Sequence, residues 1–453
     1  MSGKNVWLKI TYLSLFFILI SLGLLFFPNV HIMYKSVDVF EKEKVKPNHE
    51  PVVSMYSDPT LNGSDPLVDN AMIPVYYDSE EKTWKKADPL EKWYDYSKEW
   101  WANVVIAKEE YREKYSNALP GEIINLDEIL GFFVWIPRFE YKLFNVDKKL
   151  VKEQIIEINI VSKTTPKKTT IKNGEYYTHP AFTAQYKNGD TYELDGFWIA
   201  KFEPSLENDL VRLVPNKKPI ASINMATMWK YATGIKDSYG LDTPSRIITN
   251  MEWGAIAYFT HSNYGKPGNN DFKVKRVYIN NAMGSDNWDN QLTGCSSGTV
   301  STGGSANCRY QYDVSIYGTG ASSTGNIYGI YDLVGGSWEC VMGLISGPNL
   351  PDNIGGYNGS LPKETRYYTL YNNGAMLDHT RGYLGDATFE TKANTTEYQS
   401  WYGNLSYFAT SSFPWIKRGG SFRGGGYSGL FDHGITDALP RGDKTFRTIL
   451  SKY

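Results

Sequence analysis

Three cysteines and six histidines are the side chains best suited to redox, metal or nucleophilic chemistry, and their spacing narrows what they can do. Cys295 and Cys308 bracket a Gly/Ser/Thr-rich loop. A disulfide there would close about 13 residues and contribute about 3 kcal/mol on chain-entropy grounds. Such a bridge fits an oxidising compartment, hence the outer side of a membrane. Cys340 lies in the apolar stretch Trp338 to Met342 and reads as a buried free thiol. His31, His49, His179, His261, His379 and His433 are scattered, with no His-x-x-x-His pair and no cysteine pair at zinc spacing. Neither a G-x-S-x-G nucleophile turn nor a phosphate-binding G-x-x-x-x-G-K-[ST] loop is present. No catalytic carboxylate pair stands out from the 49 acids.

The elements that must position these groups begin with an apolar run. Ile10 to Val30 carries no charged side chain. Its length is about 21 residues, or about 31 Å as a helix, which matches one bilayer core. Lys4 and Lys9 precede it and Pro28 ends it. A signal peptide has a shorter core of ~7–15 residues and a small-x-small site, and none follows Leu24. An uncleaved single-pass anchor over residues 1–30 is therefore expected, with the lipid bilayer as partner of residues 10–30. Lys35, Lys42, Lys44 and Lys46 leave the positive-inside count undecided. The cysteine pair tips the expectation to an extracytoplasmic head at the cell membrane.

Formal net charge is -2, from 47 Lys+Arg against 49 Asp+Glu, which argues against a nucleic-acid partner. With 34 tyrosines, 13 tryptophans and 41 glycines, the 453-residue chain reads as a loop-rich fold with an aromatic core. Residues 31–70 read as a polar stalk. Residues 71–130 read as a small aromatic β-rich region. There Tyr77-Asp78 is followed by Trp84, and Tyr94-Asp95 by Trp101, at the same Tyr-Asp-x5-Trp spacing, suggesting two small hairpins. Closing a small β core is the preferred role of these aromatics over stacking on sugar. Phe133 to Phe139 is a strand signal, and Lys149 to Lys172 carries strand-like alternation. Asn224–Gly234 and Thr249–Thr260 are the soluble helix candidates, the second with Thr249 and Glu252 as a capping box. The expected fold class is α+β.

The C-terminal third adds a set of motifs. Asn326, Tyr328, Gly329, Tyr331, Asp332, Gly335, Trp338 and Glu339 fall in the run GNIYGIYDLVGGSWE. Arg418-Gly419-Gly420-Ser421-Phe422 follows, then the terminal Phe446-Arg447. In order and spacing they resemble the formylglycine-generating-enzyme (sulfatase-modifying factor) superfamily, whose domain is a variant of the C-type-lectin fold. The family pattern is N-x-[FY]-G-[LI]-Y-D-[ML]-x-G-N-x-W-E, then R-G-G-S-[WF], then G-F-R. Leu194–Phe202 resembles the family's first strand, and Ser245–Trp253 its R-L-P-T-E-A-E-W helix start. The resemblance spans residues 131–453 and implies a head of that fold. Gly335-Gly336 would allow a sharp turn, Trp338 would plug the core and Glu339 would find a buried partner.

The resemblance does not carry the oxidase activity. That branch places two copper-binding cysteines between R-G-G-S-W and G-F-R, and here Arg423–Thr445 contains none. Thr448 also stands where a cysteine is common. Gly336 replaces the asparagine whose oxygen would serve the family's calcium site. Asn326, Asp332 and Glu339 carry oxygens for a structural calcium, but hydrogen bonding within the fold is the preferred role. No other cofactor is expected. The same fold in retroelement-diversified ligand-binding surface proteins places solvent-facing residues in this interval. By that analogy Arg423, Tyr427, Leu430, Phe431, Asp432, His433, Thr436 and Asp437 are expected to contact a protein or glycan ligand. The reading is a membrane-anchored, non-catalytic ligand-binding surface protein of prokaryotic type. The alternatives are a metal-dependent non-oxidase enzyme of the same superfamily, which would need His433 or His379 to converge with carboxylates, and a structural envelope component.

Overall fold

The computed structural model describes residues 52–53, 56–185, 190–266, 276–280, 291–300, 308–346, 362, 364–393 and 398–452. The expected anchor over residues 10–30 lies outside them. Among the described residues no helix is long and apolar enough to cross a membrane.

Runs of β-branched and aromatic residues build the central sheet. Its members in chain order are β1 (Met72–Asp78), β2 (Thr83–Lys86), β3 (Asn103–Ala107), β4 (Ile129–Pro137), β5 (Gly196–Ala200), β6 (Ser245–Ile247) and β12 (Thr448–Leu450). They align as β6-β12-β5-β4-β3-β1-β2, every neighbouring pair antiparallel. The sheet therefore crosses the boundary expected at residue 130 and joins strands from both sides of it. It is covered on both faces. Val104 and Ile106 enter one apolar cluster while Val105 and Ala107 enter the other, as the period of two along a strand requires.

The repeated Tyr-Asp-x5-Trp spacing has two outcomes. Tyr77 and Trp84 are register partners across the β1–β2 hairpin, with rings 5.4 Å apart. The second copy is no hairpin: Tyr96–Lys98 forms a 3-10 turn closed by the Asp95–Trp100 bridge. Residues 56–70, expected as a solvated spacer, instead pack on the body. Leu61 is buried, Asp65 accepts from the Tyr94 hydroxyl at 2.9 Å, and Asp69 accepts from the backbone of Asp242 and Thr243 at 2.8 Å. Of Lys149–Lys172 only Ile158–Ile160 pairs as a strand.

Two helices form where caps and apolar spacing coincide. The first, α1 (Met225–Tyr239), starts on the Asn224 side chain and ends on left-handed Gly240. The second, α2 (Asn250–Thr260), starts on the full Thr249/Glu252 capping box.

A second sheet holds the C-terminal motifs. It contains β7 (Trp338–Ser346), β8 (Thr369–Asn372), β9 (Trp415–Arg418), β10 (His433–Thr436) and β11 (Lys444–Phe446). The order is β8-β7-β9-β10, with β11 also pairing β7. Gly335 and Gly336 both have positive φ, and a Cβ on Gly336 would meet the Glu203 carboxylate at 2.8 Å. Just beyond the turn, Glu339 and Arg447 form a fully buried ion pair. Arg447 also donates to the carbonyls of Ala200 at 2.7 Å and Tyr331 at 2.8 Å, so it ties both sheets together. Lys201, equally buried, donates to Asn103 Oδ1, Ile327 O and Gly329 O at 2.7–2.8 Å. The Cys295–Cys308 disulfide is formed, with Cα atoms 5.4 Å apart, and Cys340 is a buried free thiol.

Candidate ligand-facing surface

The loop after β9 is shaped by glycine. Gly419 and Gly420 adopt left-handed φ of +83° and +79°, and a Cβ on Gly420 would lie 2.3 Å from Ser428 Oγ. That closeness lets Ser428 Oγ donate to Ser421 O at 2.8 Å and tie the two ends of the loop. Beneath it Arg418 is buried, donating to Ala387 O at 3.2 Å with its guanidinium 5.9 Å over the Trp253 ring. Between the tied ends the Phe422 ring is buried. A 3-10 turn over Gly425–Tyr427 carries Tyr427 outward, 59% exposed, and leaves Arg423 exposed near the Phe422 ring.

Neighbouring backbone extends this surface. The Leu405 N–H donates to Tyr427 O at 3.1 Å, Ser406 N–H to Tyr398 O at 2.8 Å, and Tyr407 N–H to His433 O at 2.6 Å. Tyr398 is 46% exposed and meets Tyr407 edge-on at 5.2 Å. Arg423, Tyr427, Tyr398 and Tyr407 thus stand on adjacent loops above a pinned base. Tyr398 and Tyr407 lie outside the interval that sequence reasoning selected. Their only sequence signal is the tyrosine-rich spacing of Tyr398, Tyr402 and Tyr407.

The remaining expected contact residues are placed differently. Leu430, Phe431, Asp432, His433 and Thr436 are buried, and Asp437 is half-buried. The reason is pairing: His433–Thr436 becomes β10, inside the second sheet and bridged by Ser406. Phe431 packs on Trp401 at 5.2 Å and on His261 at 5.3 Å. Thr436 Oγ accepts from buried Lys444, and Asp437 pairs with Arg441 at 3.1 Å. These six shape the base of the surface.

The enzyme alternative needed His433 or His379 beside carboxylates. The two imidazoles do approach, with centroids 6.3 Å apart. Both ring nitrogens of His433 lack hydrogen-bond partners, and burial, Arg418, His379 and Arg381 all push its pKa well down. Burial pushes the adjacent Asp432 well up. Both shifts favour the uncharged form of the group, although Lys417 and Arg418 oppose the shift at Asp432. Among the described residues no group of three or more His, Cys, Asp or Glu side chains could hold a metal. The motif oxygens are likewise engaged within the fold. Asn326 Oδ1 accepts from Tyr328 N at 2.9 Å, Asp332 Oδ1 accepts from Asn280 at 2.7 Å and from Gly294 N at 2.8 Å, and Glu339 holds Arg447.

No protein-family model and no curated protein matches the chain. Among solved structures, Treponema denticola variable protein 1 aligns at 12% identity over 59% of this chain and 91% of its own, with a TM-score of 0.27. The Major Tropism Determinant M1 variant aligns at 9% identity over 83% of this chain and 93% of its own, with a TM-score of 0.28. The I1 variant aligns at 10% identity, over 83% and 94%, with a TM-score of 0.27. TM-scores this low establish neither fold nor function for this chain.

Proposed function

We propose that the chain is a non-catalytic ligand-binding protein, held at the cell surface by residues 10–30 and presenting a head of the formylglycine-generating-enzyme-like, C-type-lectin-like type. The observation that carries this reading is the loop surface of Arg423, Tyr427, Tyr398 and Tyr407 over a base of buried polar bonds. Tyrosine offers large amphipathic contact area at low entropy cost, arginine offers directional charge, and Gly/Ser loops fit them to a partner. Its ligand is a protein or a glycan. The absence of a cysteine pair in Arg423–Thr445 supports binding without oxidase chemistry.

The test is binding of the full chain, in detergent, to arrays of cell-surface proteins and of glycans. A partner should be found whose affinity drops at least about tenfold in Tyr427→Ala and in Arg423→Ala, with folding unchanged. Absence of any partner, or a partner indifferent to both substitutions, overturns the reading.

A further inference from the structure

Beside that surface the described residues line a small notch of near 20 Å³. Its chemistry is one-sided. Asn404 is buried, and its Oδ1 accepts from Phe431 N at 3.3 Å, which orients the amide and leaves Nδ2 as a donor with no partner. His261 is also buried. Its Nε2 lies 2.6 Å from the Tyr402 hydroxyl, while Nδ1 has no partner. When the Tyr402 O–H donates to Nε2, the neutral ring carries its proton on Nδ1, a second unmet donor.

Two basic side chains complete the wall, and burial pulls the pKa of both down, that of Lys266 to about 7. Lys266 donates to Gly320 O at 2.6 Å and sits 4.1 Å over the Tyr278 ring. Arg276 lies 4.2 Å over the Tyr402 ring. Neither pairs with a carboxylate among the described residues; the acid that acts on Arg276 is Glu153, which accepts from Tyr402 N at 3.1 Å. Unmet buried donors beside basic side chains cost free energy unless an acceptor with negative charge arrives.

We infer that this notch is a carboxylate subsite, taking the acidic group of a ligand that lies on the adjacent tyrosine surface. The inference deepens the binding reading, and its test is independent of the macromolecular ligand. The full chain carrying 15N-labelled histidine is titrated in detergent with sodium formate, and separately with formamide, the neutral isostere. Formate should produce a saturable shift of the His261 ring resonances and formamide should not. Lys266→Met should weaken the formate response roughly tenfold. Asn404→Asp keeps the acceptor for Phe431 N but replaces the free donor with a charge, and should abolish the response. A formamide response equal to that of formate, a non-saturating formate response, or an unchanged Lys266→Met would overturn the subsite. Those results leave the Tyr427 and Arg423 test of the surface untouched, so the two can fail separately.

Discussion

Arg423–Tyr427 and Leu430–Thr436 are nearly adjacent in the chain and similar in type, mixing glycine, aromatic and polar residues, yet one is rim and the other floor. The first has three consecutive glycines and no strand partner, so its large side chains reach solvent. The second leads into the second sheet, where His433–Thr436 pairs between β9 and the segment around Ser406, and just before the strand Phe431 is packed on Trp401 and His261, so its charged and aromatic groups are buried. Side-chain type did not separate contact residues from supporting ones. Backbone pairing did.

The largest effect is expected at the buried ion pair that ties the second sheet, which carries the floor, to the central one. Arg447→Met would leave Glu339 buried beside Glu203 and Asp332 without compensation, at a cost of about 3–5 kcal/mol. Urea unfolding measures it, and a change below about 1 kcal/mol would show that the buried carboxylate finds other compensation.

Reduction of the Cys295–Cys308 bridge comes next, at about 3 kcal/mol. It should lower stability while leaving ligand binding by the tyrosine rim intact when measured below the unfolding temperature. Loss of binding in a still-folded reduced protein would place that loop in the contact surface.

His433 sharpens the comparison by pH. Its folded pKa lies well below the ordinary 6.5, so its neutral form is favoured in the fold. Its contribution to stability is therefore fully present above 6.5 and is lost as pH falls below it. Between pH 7 and pH 5 the stability difference between wild type and His433→Phe should move in favour of the variant, by no more than about 2 kcal/mol. Taking the difference cancels the buried acids that titrate in the same range. A pH-independent difference would mean that His433 is not held neutral.

The smallest stability change is expected at the rim. Tyr427→Ala should alter unfolding by no more than about 0.5 kcal/mol while weakening ligand binding. Stability loss comparable to that of Arg447→Met would make Tyr427 part of the floor.

Several elements were legible in the chain before any tertiary contact. The capping box at Thr249 and Glu252, the helix expected from Asn224, which runs on to Tyr239, the β4 strand and the Cys295–Cys308 loop follow from local pattern, and each forms. The motif turn at Gly335-Gly336 also forms, and Glu339 has its buried partner, because left-handed glycines and a buried carboxylate impose local demands. The alternation over Lys149–Lys172 yielded one short strand, since a strand needs a free partner edge as well as a pattern.

What the sequence by itself determined is therefore local: where helices start, where the chain turns, which thiols can meet, and that an aromatic core would form. Tertiary structure decided which aromatics and charges face solvent. Tyr398 and Tyr407 entered the surface because loops distant in sequence bond to residues 427 and 433. His433 and Thr436 left it because a strand edge was available to β10, and Phe431 because Trp401 and His261 cover its ring. Exposure depends on which distant segments cover a residue, and long-range packing settles that where local composition cannot.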